Sequence, residues 1–139
     1  MTIVSLSGIG AFDNVSRAAF LDKMVRTPSL HSLVPFALAL YGSPSLFLWT
    51  NDGGNDHTII QAEGGEQGCP LMLAFYALAQ HDALAAADGN LLPDEYVFAF
   101  LGDIYTKTSP GRATNATLLV TTTMERHAGV RSHYGKLRM

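Results

Sequence analysis

Cysteine is almost missing from this sequence: Cys69 is the only one in 139 residues. A lone thiol cannot form an internal disulfide, and a cysteine-rich zinc site is excluded with it. Charge is scarce too, at 15% of residues against 47% hydrophobic, a balance that suits a globular core rather than a disordered chain. Nor is there a basic surplus, because 9 Lys+Arg face 12 Asp+Glu for a formal charge of −3. A self-sufficient nucleic-acid binder normally has the opposite sign, to neutralise phosphates. A core domain whose basic surfaces lie on neighbouring segments need not. No apolar run reaches the ~18 residues of a membrane span, and the N-terminus lacks the basic-then-apolar layout of a signal peptide. The expectation is an intracellular protein with no membrane partner, nuclear or cytoplasmic.

Several familiar chemistries are missing as well. The five histidines, at 31, 57, 81, 127 and 133, stand at no metal-ligating spacing. The glycines at 64, 65 and 68 are not followed by Gly-Lys-Ser/Thr, so they form no P-loop. Cys69 opens a helical stretch, where the dipole could favour a thiolate. Nothing in the sequence orients a base toward it, and cysteine is commonly just a small buried residue.

What is present reads as one domain over residues 1–139. Residues 2–7 favour a strand through Ile3 and β-branched Val4. Asp13 or Ser16 can cap a helix over 17–26, with Phe20, Leu21, Met24 and Val25 as its apolar stripe and Thr27-Pro28 as its end. A second helix is predicted over 30–41, with Gly42 as terminator; Pro35 fits only if Ser32 is the true cap. Two strands, 45–50 and 57–61, flank Asn51-Asp52-Gly53-Gly54-Asn55 and predict a hairpin.

Pro70 then suits the first position of a long helix ending near Ala87 and Gly89. Its residues 72–79 are apolar all round, which predicts burial on every side. The unbroken apolar run 96–101 reads as a central strand, turning at Gly102-Asp103 into residues 104–106. Residues 112–127 have the length of a helix, but Val120-Thr121-Thr122-Thr123 disfavours one. Strand-like sequence starting almost at Met1, and an end at Leu137-Arg138-Met139 with no polar tail, suggest a segment cut from a longer polyprotein.

Four stretches in order carry a resemblance. Ser7-Gly8-Ile9-Gly10-Ala11-Phe12-Asp13 resembles Asp-x-x-x-Ala-Phe/Tyr-Asp, and Gln67-Gly68-Cys69-Pro70-Leu71 resembles Gln-Gly-x-Pro-Leu. Phe100-Leu101-Gly102-Asp103 stands where an aromatic, any residue and Asp-Asp are usual. Residues 129–136, ending at Lys136, resemble Gly-Leu-x-x-Asn-x-x-Lys. The four stretches are similar to motifs A to D of reverse transcriptases, and the wording of the second resembles the non-LTR (LINE-type) retrotransposon branch.

The resemblance implies an α+β fold: a palm-type antiparallel sheet of three or four strands backed by helices, without complete fingers and thumb. It implies RNA-templated DNA synthesis from a DNA primer and dNTPs, with Mg²⁺ held by converging carboxylates. The residues it assigns are Asp103 as catalytic and metal-binding, with Phe12, Gln67, Gly68 and Lys136 on the nucleotide. Phe12 would be the steric gate under the sugar. Ser7 and Gly102 occupy the other two catalytic aspartate positions, so a catalytically inactive copy is expected. The alternative is a non-catalytic nucleic-acid-binding or unselected fragment of a decayed element. With fingers and thumb missing, exposed apolar surface and marginal solubility are expected.

Overall fold

The computed structural model describes residues 1–138. Alternation sets the first strand: in β1 (Thr2–Ser7), Val4 and Leu6 point into the core while Ile3, Ser5 and Ser7 face the other way. β1 pairs antiparallel with β5 (Asp103–Thr108), and β5 with β4 (Tyr96–Phe100), in the order β1-β5-β4. β5 is therefore the central strand. The run 96–101 lies at the edge, contrary to its unbroken apolar sequence. Only Val97 and Ala99 of β4 pack on the core, and its aromatic side chains stand on the open face.

Helices cover one face of this sheet, as the palm-type reading requires. After the short α1 (Ala11–Asn14), Ser16 caps α2 (Arg17–Val25) by accepting a hydrogen bond from the Ala19 N–H at 3.3 Å, so Ser16 rather than Asp13 is the cap of that helix. The helix expected over 30–41 is divided into a 3₁₀ segment (Pro28–Leu33) and α3 (Val34–Tyr41). Pro35 explains the break, since it has no N–H to donate and its ring crowds the carbonyl four residues earlier.

α4 (Met72–Asp88) begins two residues after Pro70 and buries one side only: Met72, Phe75, Tyr76, Ala79, Gln80, Ala83 and Ala87 face inward. Leu73, Ala74, Ala77 and Ala85 face out. The outer face is mostly alanine, which loses little by exposure, so an apolar composition did not demand burial all round. In α5 (Ala113–Ala128) helical periodicity outweighs the β-branched run, burying residues 113, 116, 117, 120, 121, 124 and 128. Thr121 and Thr123 return their hydroxyls to the carbonyls of Leu118 and Leu119, which meets their polar demand within the helix. Between α2, α3 and α4, Phe20 stacks on Phe75 with centroids 5.0 Å apart, and Tyr41 meets both edge-on.

β2 (Ser45–Thr50) and β3 (Asp56–Gln61) form the expected hairpin, a two-stranded sheet of its own. Leu46, Leu48 and Ile60 are exposed on one of its faces. The exposed apolar surface anticipated from the sequence thus lies on this hairpin and on β4 more than on α4. No helix among the described residues is long and apolar enough to cross a membrane.

A buried carboxylate closes the far end of the sheet. Glu95 accepts from Thr108 Oγ1 at 2.5 Å, from the Leu92 N–H, and from Arg112 Nε and Nη2 at 3.3 Å. Arg112 and then Thr108 hold its carboxyl down at about 2, against an ordinary 4.5. A depressed carboxylate contributes stability that is present above the ordinary value and lost as pH falls toward the folded one. Glu95→Gln is therefore expected to lower Tm at neutral pH, and the difference from the parent should shrink as pH drops from 4.5 toward 2. A Tm gap independent of pH, measured by circular dichroism melts, would contradict this account.

Candidate functional site

Antiparallel register brings two distant motifs together. Ser7, the last residue of β1, is paired with Asp103, the first of β5, and Ser7 Oγ donates to Asp103 Oδ1 at 2.7 Å. Immediately beyond, the Gly8 N–H donates to the Gly102 carbonyl at 3.1 Å. The convergence of the first and third motifs that the resemblance implies is what the backbone shows. Gly8 is obligatory here, because a Cβ would lie 2.7 Å from Val130 Cγ1 and 2.9 Å from Ala11 Cβ. The fourth motif joins on the outer side of β1: the His133 N–H donates to the Ser7 carbonyl, and Ser5 and Arg138 exchange backbone bonds. Lys136 is exposed on the turn between them and lines neither the Ser7–Asp103 contact nor the cleft described next.

Phe12, Gln67 and Gly68 do share a cleft, of about 480 Å³, with Glu66, Cys69, Pro70, Met72 and Leu73. Ser7 and Asp103 are not among the residues that line it. The two regions are joined through Tyr76. The ring of Tyr76 is fully buried and lies 4.8 Å from that of Phe12. Burial, and after it the negative charge of Asp103, pushes its phenol up to about 12. One turn along α4, Gln80 is buried too and donates from Nε2 to the Leu101 carbonyl at 3.4 Å. That carbonyl belongs to the β4–β5 turn, where Leu101 has φ 53°, a left-handed conformation that costs a leucine roughly 1 kcal/mol. The tight turn that places Asp103 is thus supported from beneath by α4. Tyr76 and Gln80 went unnoticed in the sequence, although Gln80 is a polar interruption in an otherwise apolar run.

The glycine-rich segment is docked onto the corner between α1 and α2. The Gly64 N–H donates to the Val15 carbonyl and the Gly65 N–H to that of Phe12. Gly64 has φ 67°, and a Cβ there would fall 2.1 Å from the Asp13 carbonyl oxygen, so only glycine fits. Gln67 Nε2 reaches the Asp13 carboxylate at 3.3 Å, which gives Asp13 a role in holding motif B.

Arg17 binds the layers together. It is 4% exposed, and its guanidinium donates to the carbonyls of Gly64 and Ser43 at 2.7 Å and to Ser45 Oγ at 3.0 Å, over the ring of Tyr41. A cation at a helix N-terminus opposes the dipole; that position was the one signal in the sequence that Arg17 has fixed partners. Burial, and after it the neighbouring Cys69 thiol, pushes the Tyr41 phenol up to about 12, and Cys69 lines the wall of the cleft.

Two Mg²⁺ ions need several converging oxygen ligands, mostly carboxylates. The strand ends supply one carboxylate, Asp103, one hydroxyl, Ser7, and at Gly102 no side chain. Among the described residues no group of three or more His, Cys, Asp or Glu converges on a point. The residues present do not fit a metal pair.

No protein-family model and no curated protein matches the sequence. Solved structures do match the fold. The apo telomerase from Candida tropicalis, truncated from the C-terminal domain, superposes with a TM-score of 0.65 at 11% identity, covering 98% of this chain and 30% of that one. The telomerase from Candida albicans in complex with a TWJ fragment of telomeric RNA gives a TM-score of 0.66 at 13% identity, over 98% of this chain and 26% of that one. The chain therefore has the fold of a part of these telomerases, an α+β arrangement of antiparallel sheet and helices consistent with a palm, and it spans less than a third of their length.

Proposed function

We propose that this chain is the palm core of an RNA-templated DNA polymerase of non-LTR retrotransposon descent, over residues 1–139, and that it is catalytically silent. The observation that carries the reading is the Ser7–Asp103 pair at 2.7 Å. The fold builds the place where motif A and motif C carboxylates would meet, and a neutral hydroxyl occupies half of it. The four motifs in order support the descent, and the palm-type fold agrees with it. In the parent polyprotein, fingers and thumb would supply the basic surfaces this chain lacks, with an RNA template, a DNA primer and dNTPs as partners inside the cell.

In this reading Phe12 and Gln67 still shape a nucleotide-sized cleft, with Gly68 opening the backbone toward it, but no step of phosphoryl transfer is available to the chain. A serine hydroxyl is a weak ligand for a hard cation, and the carboxylate it binds is already partly satisfied. Manganese titration followed by electron paramagnetic resonance tests this directly. The unmodified chain should show no tight site, whereas Ser7→Asp with Gly102→Asp should create one. Tight Mn²⁺ binding by the unmodified chain, abolished by Asp103→Asn, would overturn the silent-site reading.

A further inference from the structure

The three-stranded sheet has two edges, and the chain covers only one of them. Along β1, Ser5 exchanges backbone bonds with Arg138, the Ser7 carbonyl accepts from the His133 N–H, and Gly8 bridges to Ser132. The other edge is β4, which has no charge, no proline and no bulge to deter pairing. Val97 and Ala99 pack on the core yet are only half-buried, as an open edge leaves them. Register fixes which backbone groups on this edge are free, because hydrogen-bonded and non-bonded pairs alternate along antiparallel strands. Ser5 and Ser7 bond outward, so Val4 and Leu6 are the residues that bond β5, at Thr106 and Ile104. Asp103, Tyr105 and Lys107 then bond β4, at Phe100, Phe98 and Tyr96. The N–H and C=O groups of Val97 and Ala99 are left pointing away from the sheet.

We propose that β4 is a dimerisation edge: two copies of this chain pair β4 to β4, antiparallel, about a two-fold axis at Phe98, and form one continuous sheet. With the axis there, Val97 of each copy lies opposite Ala99 of the other, and every outward N–H and C=O finds a partner. Moving the axis by one residue sets Val97 or Ala99 against itself and opposes the other to Leu101 or Glu95, outside the strand. On the open face Phe98 meets Phe98 of the second copy, flanked on both sides by Tyr105, which stacks on Phe98 at 5.2 Å with planes 11° apart. Each outer row runs Lys107, Tyr96, then Phe100 and Asp103 of the second copy, with a cation at one end and a carboxylate at the other. The edge is thus complementary to itself in shape, bonding and charge, which favours a second copy over an unrelated strand. Pairing would shelter Phe98, Tyr96 and Phe100, of which the last is 73% exposed. One free edge per sheet closes the assembly at two. Six rings and one strand pair fall short of the ~1,600 Å² of a standard stable interface, so a dissociation constant on the order of 10 µM is expected. The inference does not rest on the polymerase reading.

Sedimentation velocity of the intact chain over a concentration series tests the proposal, and a monomer–dimer equilibrium is expected. Phe98→Lys sets two ammonium groups against each other at the axis and should weaken association ~10-fold or more, with folding checked by circular dichroism. Phe98→Leu should retain the dimer. Leu48→Lys, on the separate hairpin, should leave association unchanged. Disulfide trapping in a Cys69→Ser background then reads the register. A non-hydrogen-bonded pair holds its Cα atoms ~4.5 Å apart, within disulfide reach, so Phe98→Cys should cross-link two copies on mild oxidation. Phe100→Cys should not, because position 100 faces Tyr96 of the second copy and lies four residues, ~13 Å, from its own counterpart. A chain that stays monomeric to about 50 times the expected dissociation constant would overturn the proposal. So would equal trapping at positions 98 and 100, or a dimer that Leu48→Lys abolishes and Phe98→Lys leaves intact.

Discussion

Grafted between the fingers and thumb of an active non-LTR reverse transcriptase, the unmodified chain is expected to add no nucleotide to a primer, and Ser7→Asp with Gly102→Asp to raise single-nucleotide incorporation ~10³-fold or more. Two-metal stabilisation of the transition state is worth several kcal/mol, and each ~1.4 kcal/mol is tenfold in rate. Either substitution alone should recover little, because one added carboxylate still leaves the metal pair short of ligands. The geometry admits both changes. Position 7 already contacts Asp103, and an aspartate there would direct its carboxylate at the same point. A Cβ at 102 would lie 3.3 Å from Ala11 Cβ, close enough to require a small shift of α1 but no rebuilding. Clear extension by the unmodified graft would show that Ser7 and Gly102 are compatible with catalysis. A folded double variant that stays inert would remove the functional support for the resemblance.

Arg17→Ala should produce the largest loss of stability of any single side-chain truncation in the site region. Hydrogen bonds from a charged donor contribute ~1.5–3 kcal/mol each, and buried acceptors left unpaired add to the cost. Three such bonds and a cation–π contact meet at Arg17, and non-additivity brings the expected total to about 3–4 kcal/mol. For a chain of this size that is a fall in Tm on the order of 10 °C. Arg17→Lys should recover little of it, since one ammonium group cannot reach Gly64, Ser43 and Ser45 in a planar fork. A urea melt showing a loss under ~1 kcal/mol would mean that the glycine segment and the hairpin are held by other contacts. The same variant should loosen the cleft formed by Phe12 and Gln67, because the loop that carries Gln67 is anchored at Gly64.

Periodicity and punctuation carried the local structure. The β-propensity of Ile3 and Val4, Asp13 or Ser16 before an apolar stripe, the Asn-Asp-Gly-Gly-Asn turn and Gly89 after an alanine-rich run each marked an element that the structure contains. The candidate site was named by the motif resemblance, which singles out Ser7, Phe12, Gln67 and Asp103 without any coordinates. Two readings failed and one left open was decided, all for tertiary reasons. The run 96–101 read as a central strand because composition cannot tell a strand buried on both faces from an edge strand with exposed rings. The stretch 113–128 could not be decided between helix and strand until packing against α4 and the sheet rewarded its helical face. α4 was expected to be surrounded, although only one of its sides had neighbours.

By itself, the sequence determined most of the strands and helices, which follow from local propensity and turn residues, and that Ser7 and Gly102 carry no carboxylate. Only the tertiary structure decided that Ser7 bonds Asp103 across 96 residues, that Arg17 ties three segments together, that Lys136 stands away from the cleft, and that four rings share one open face. Those are consequences of which distant segments pair and which surfaces meet, and a local pattern does not name the partner strand.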